Sequence, residues 1–376
     1  MAPALLRGSR AVRRESPGRS IDQLASVTLR RIVVEGLISA MKHLSKYSRS
    51  LAGEVIILLL WAGSAFAQTC YTAGEMNEAS RNALESAAKR YFDMAARGDS
   101  ASLKQNAIPS LANQFTGIEA AVKDNQPSLS GATPIARPPF LLKQEGGGGD
   151  SRGEFLCGVF GPSGQTANST EFIIPNLSAG NYGLVILDVN GPNGPRTVSF
   201  VLEQQGNDWK MGGFYVKAPE VKGHDGRWFA EQARAFKAKG QNHNAWFYYL
   251  EARELLVAVP FMSTQMTDQL YDESQTVKPT DLPVDGNTID LATGGKTYRL
   301  TSMFPLPVSQ DLDLVVKYQS ADVSDNAKTF QENMAVMRAL VSKFPEFRQA
   351  FDGLVARAVD PSGKDYGSLL AMKDVR

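Results

Sequence analysis

The stretch DLATGGKT, Asp290 to Thr297, ends in the Gly-Lys-Thr of a phosphate-binding loop. Such a loop needs a first glycine where this chain has Asp290. It also needs a helix directly after the threonine, whose free N-terminal amides would face the phosphate. The chain continues instead as YRLTSM, Tyr298 to Met303, a strand pattern, so Gly294-Gly295 reads as the turn of a β-hairpin.

Other catalytic constellations are thin. The sequence holds no G-x-S-x-G elbow, no H-E-x-x-H and no C-x-x-C. Beyond residue 67 the histidines are His224 and His243, too few for a histidine-rich metal site. In GHDGRW, Gly223 to Trp228, Asp225 is placed to cap a helix, and His224 as a general base or metal ligand is the alternative. The sequence therefore assigns no catalytic residue, no metal ligand and no cofactor.

Two cysteines are present, Cys70 and Cys157, and an even pair in an oxidising compartment is more often bridged than free. Export is indicated just before Cys70. Residues 42–49 carry Lys42, Lys46 and Arg49 without an acid, an apolar run of about 13 residues extends from Val55 to Ala67, and Ala65-Phe66-Ala67 forms an A-x-A site. Roughly 20 residues are needed to span a bilayer as a helix, so this reads as a signal peptide over 41–67, cleaved between Ala67 and Gln68. A short uncleaved anchor over 55–67 is the alternative. Residues 1–40, rich in arginine, read as an over-extended reading frame or a leader, outside the fold.

The whole chain has 40 basic and 39 acidic side chains, but residues 1–67 hold ten of the former and four of the latter. The remainder, 30 against 35, is mildly acidic. That balance argues against nucleic acid, whose phosphates need a basic face, and against an anionic membrane surface.

About 310 residues after the leader exceed what one core usually organises. Over 68–219 apolar residues first recur at helical spacing, Ala83, Leu84, Ala87, Ala88, Tyr91 and Ala95, with Gly98 as a stop. Asp99 or Ser100 caps a second helix, and Pro109 opens a third running to about Val122. The Pro-, Ser- and Gly-rich stretch 124–153 reads as a flexible loop. Strands are expected at Phe155–Phe160, Glu171–Ile174, Tyr182–Val189, Thr197–Gln205 and Trp209–Val216. Helices followed by an antiparallel meander make this region α+β. By that element order, over roughly Glu75 to Lys217, it resembles the NTF2-like superfamily, whose curved sheet wraps a pocket used for catalysis in some members and only for binding in others.

Residues 220–262 read as two helices joined around Gly240. Ala233, Phe236, Gly240, Ala245, Tyr249 and Ala252 fall at the spacing of one tetratricopeptide unit, which Arg227 to Pro260 resembles. A single unit makes no peptide groove, because its apolar face must be buried by neighbours. Within it WFYY, Trp246 to Tyr249, reads either as core packing or as an aromatic platform on which Trp246 and Tyr248 contact a partner.

Residues 263–376 alternate again in the strand sense, with an amphipathic helix expected at Asn326–Phe344 through Phe330, Met334, Met337, Leu340 and Val341. This predicts a second small α+β domain. The layout implies an exported, periplasmic or secreted, non-catalytic protein that binds a protein or peptide of the cell envelope. The alternative is a carboxylate-based hydrolase or isomerase with its pocket in the first α+β region.

Overall fold

The computed structural model describes residues 68–146, 152–308 and 310–376, and these form an α+β fold of helices on mainly antiparallel sheets. Residues 1–67, with Ala65, Ala67 and the expected signal peptide, lie outside the described residues, as does the glycine-rich run 147–151.

Asn77 starts helix α1 (Glu78–Ala96) by accepting from the Ser80 amide, and Asp99 does the same for α2 (Ser100–Gln105) through Ser102. The expected helix from Pro109 divides into α3 (Pro109–Ala112) and α4 (Thr116–Leu129). The leading strand, β1 (Gln68–Tyr71), joins β2 (Thr133–Ala136), β3 (Phe140–Gln144), β6 (Gly180–Gly191), β7 (Gly194–Gln205) and β8 (Asp208–Lys217) in one six-stranded sheet. Alternation along β6 gives the sheet two apolar faces. Val185, Leu187 and Val189 join Leu84, Tyr91 and Phe92 under the helices, while Tyr182 and Leu184 point the other way.

That second face is covered by a three-stranded sheet, β4 (Gly153–Gly158), β5 (Ser169–Ile174) and β11 (Met262–Thr264). The five strands expected as one meander are thus split between two sheets. Cys70 on β1 and Cys157 on β4 form a disulfide, with Cα atoms 5.1 Å apart, and so fasten the two sheets together.

The flexible loop expected over 124–153 is corrected by the structure. Its first part completes α4, with Pro127 inside the last turn, and its middle supplies β2 and β3, which pair with the two ends of the long strand β6. Prolines 138 and 139 occupy the break between them, where no ladder bond is needed. Leu142 is buried, and Arg137 makes a two-pronged contact with Asp188 of β6. Tertiary pairing here overrides a composition that favours turns.

A two-residue pair, β9 (Glu220–Val221) and β10 (His224–Asp225), leads into α5 (Gly226–Ala238), capped by Asp225, whose carboxylate accepts from the Arg227 and Trp228 amides. Helix α6 (Asn242–Leu256) returns against α5. Ala233, Ala245 and Ala252 are fully buried. The two helices approach closely at Gly226, where a Cβ would stand 2.6 Å from the Ala252 carbonyl oxygen. Gly240 lies at the joint between the two helices and ends α5: its φ is +74°, and Gln241 and Gly240 donate back to the Phe236 and Lys237 carbonyls.

After α7 (Gln265–Gln275) comes a five-stranded sheet in sequence order, β12 (Ile289–Thr293), β13 (Lys296–Val308), β14 (Asp311–Gln319), β15 (Gly353–Val359) and β16 (Asp365–Ala371). All neighbours are antiparallel except β14 and β15, which run parallel because α8 (Asn326–Lys343) crosses between them. One continuous core joins α5 and α6 to α8 and this sheet, from Phe229 and Trp246 to Leu340 and Leu354.

Candidate functional site

The β12–β13 hairpin turns on Gly294 and Gly295, at φ of +58° and +75°, a conformation only glycine takes without strain. A two-residue turn closes on a hydrogen-bonded pair, here Thr293 with Lys296. Antiparallel alternation makes Leu291 with Tyr298 the next such pair, so the N–H and C=O groups of Asp290 and Ala292 point outward. β12 is the terminal strand of its sheet, and among the described residues that outer edge carries no partner strand.

Beside this edge runs the flank of α8. Leu291 and the helix residues Met337, Leu340 and Val341 are buried in the same core, and the helix packs against the strand. The Lys296 Nζ to Glu332 Oε1 ion pair, at 3.0 Å, ties the turn end of the hairpin to the first half of α8. Arg338 and Lys343, further along, therefore stand toward the Asp290 end.

Between the two elements lies an open groove of about 510 Å³, walled by residues 290–293 on one side and Arg338, Ala339, Ser342 and Lys343 on the other. Ala339 and Ser342 are small enough to leave the space. Asp290 accepts from Arg299 Nε at 3.2 Å, so its charge is already engaged. Lys343 lies over the Phe344 ring, 5.1 Å from its centre, and Arg338 makes no hydrogen bond or ion pair with the described residues. The groove is thus a strand edge with outward amides, bordered by two cations. Such a site can take an extended chain segment or an anionic group.

Trp246 and Tyr248, expected as partner contacts, are in the core: 3% and 7% of their surface is exposed. Tyr248 packs edge-on against Phe236 and donates its hydroxyl to the Ala350 carbonyl at 2.7 Å. WFYY is therefore internal packing, and neither ring is presented to a partner. The reason is that α6 packs between α5 and the core of α8 and the five-stranded sheet, so most of its side chains are buried.

His224 stacks on Trp228 at 3.9 Å, at the start of α5. His243 brings its ring nitrogens within 2.7 Å of Glu346 Oε1 and 2.9 Å of Asp281 Oδ1, joining the start of α6 to two distant segments. Among the described residues no group of three or more His, Cys, Asp or Glu side chains is placed to hold a metal ion.

Three acids are raised above their ordinary titration range. Burial pushes Glu251 of α6 up to about 7, with Glu254 adding to the rise and Lys217 opposing it. Its Oε1 has no hydrogen-bond partner among the described residues. Asp313 of β14 is pushed to about 6 by burial and by Asp311 and Asp352, against a hydrogen bond from the Gly353 amide. Glu171 of β5 is raised by burial and by Glu154 and Asp268. None of the three lines the groove. Nothing in their sequence neighbourhood marked them, because burial of a lone acid leaves no spacing pattern.

Comparison with protein-family models, with curated proteins and with solved structures gave no match. Among the described residues no helix is long and apolar enough to cross a membrane.

Proposed function

We propose that this is an exported, non-catalytic binding protein of the cell envelope, periplasmic or secreted, whose partner is a protein or peptide received in the groove between β12 and α8. The observation that carries the reading is that groove: a strand edge unpaired among the described residues, beside two cations. The Cys70–Cys157 disulfide supports an oxidising compartment. The single tetratricopeptide-like helical pair over 227–260 then acts as a joint, and the NTF2-like region over 75–217 as a scaffold.

Cross-linking of the purified protein into an envelope fraction, followed by identification of the captured species, tests this reading. Capture that is lost on filling the groove by Ser342→Trp supports it, and no saturable capture of any envelope component overturns it. Amino-terminal sequencing of the exported form is expected to begin at Gln68; an intact amino terminus on a membrane-embedded form would favour the anchor over 55–67.

A second reading, a carboxylate-based hydrolase or isomerase in the first α+β region, has Glu171 in its favour. That partly buried acid, with its pKa raised, lies near Gln165 Nε2 at 3.4 Å and Ser263 Oγ at 3.5 Å. Turnover in a generic hydrolase screen that vanishes in Glu171→Gln would favour it over binding.

A further inference from the structure

We propose that the groove binds an extended acidic peptide by strand addition, the peptide becoming a sixth strand on the open edge of β12. This deepens the binding reading and rests on it. The outward N–H and C=O groups of Asp290 and Ala292 supply a ladder for a second backbone. Main-chain hydrogen bonds then give affinity without regard to side chain, and alternate side chains, one face only, meet the flank of α8.

The chemistry of that flank selects the partner. Ala339 and Ser342 leave room for β-branched side chains packed above them, so the inward positions take residues of valine or threonine size. Arg338, unengaged by the described residues, and Lys343 border the same space, while Asp290 is held by Arg299. The groove accordingly favours carboxylates at the flanking positions and rejects a basic segment. The occupant is thus a partner's acidic extended segment rather than a second copy of this chain: two β12 edges brought together would place both sets of cations at one junction.

The test uses the purified chain with its disulfide intact and a short fluorescein-labelled peptide alternating glutamate with valine and threonine. Saturable binding measured by fluorescence anisotropy is expected, weakening as salt is raised. Arg338→Glu is expected to weaken it by about fivefold or more, since each exposed pair contributes up to about 1 kcal/mol and reversal adds repulsion. N-methylation of alternate peptide amides, which removes donors without touching the protein, is expected to weaken it by about tenfold. A lysine-for-glutamate peptide should not bind.

Binding that ignores both N-methylation and Arg338→Glu overturns strand addition at this edge. A dimer in light scattering that dissociates in Ala292→Pro also overturns it and assigns the edge to a second copy. If envelope capture persists in Arg338→Glu and Ala292→Pro while the peptide fails to bind, this inference fails and the binding reading stands. If neither peptide nor envelope component is bound, both fail.

Discussion

The hydroxyl of Tyr248 donates to the main-chain carbonyl of Ala350 across 2.7 Å, joining two residues 102 apart in sequence. Around this bond Phe236, Phe229 and Phe351 close on the tyrosine ring, at 4.9, 5.2 and 6.3 Å between centres. Helix α6 is pinned here to the turn that returns the chain from α8 to β15, so the helical pair and the five-stranded sheet share one core.

Tyr248→Phe keeps the ring packing and leaves the Ala350 carbonyl without its buried donor. A loss of about 1–3 kcal/mol is expected in denaturant unfolding, because an unsatisfied buried acceptor costs its desolvation. Envelope capture and peptide binding should be unchanged, since the residue does not line the groove. A variant with defective binding but parental stability would return Tyr248 to the partner surface.

Glu251 makes stability depend on pH. Its carboxyl ordinarily titrates near 4.5 and is raised to about 7 in the folded chain. The folded state then holds a proton that the unfolded state has released between those values, so stability falls as pH rises from about 4.5 to about 7. The change is on the order of 3 kcal/mol from this group at about 1.4 kcal/mol per pKa unit, and Asp313 adds in the same direction. Glu251→Gln should flatten that part of the profile and be the more stable protein at pH 8. An unchanged slope would show that the carboxylate is solvated.

Replacing Cys70 and Cys157 together by serine opens a closure of 87 residues. A loss of about 2–5 kcal/mol is expected. Because Cys70 sits on an edge strand of one sheet and Cys157 on the other sheet, hydrogen exchange should rise first in β1 and β4. Uniform change over the whole chain would instead place the effect in the unfolded state.

The two glycines of the helical pair should respond differently. Gly226→Ala puts a methyl 2.6 Å from the Ala252 carbonyl oxygen and 2.7 Å from Leu256 Cγ, forcing α5 from α6, at a cost of about 1–3 kcal/mol. Gly240→Ala meets nothing within 4 Å but is held at φ +74°, at a cost of about 1 kcal/mol for the left-handed conformation. Thermal unfolding of both variants gives the order. If Gly240→Ala is the more damaging, helix termination rather than helix contact limits this segment.

Local chemistry was legible without coordinates. Gly294 and Gly295 read as a turn because a strand pattern lies just beyond them, and Asp225 read as a cap because a helical period begins right after it; both depend on neighbours within a few residues. The same holds for the cysteine pair, the only one two cysteines allow, and for the period of α8 through Met334, Met337, Leu340 and Val341; Phe330, expected on that stripe, is 39% exposed, and Thr329 and Asn333 are buried in its place. Other features depended on distant partners. β2 and β3 exist because β6 is long enough to pair with both, although their own prolines and glycines speak for a loop. Trp246 and Tyr248 have the same residue types whether they face a partner or a core, and it was the packing of residues 344–351 against them that buried them. The groove itself joins residues near 290 to residues near 340. Only the sheet order, which leaves β12 at the edge, and the crossover, which lays α8 beside it, bring those positions together. A sequence specifies which backbone groups can pair locally, but which edge stays unpaired is a property of the whole sheet.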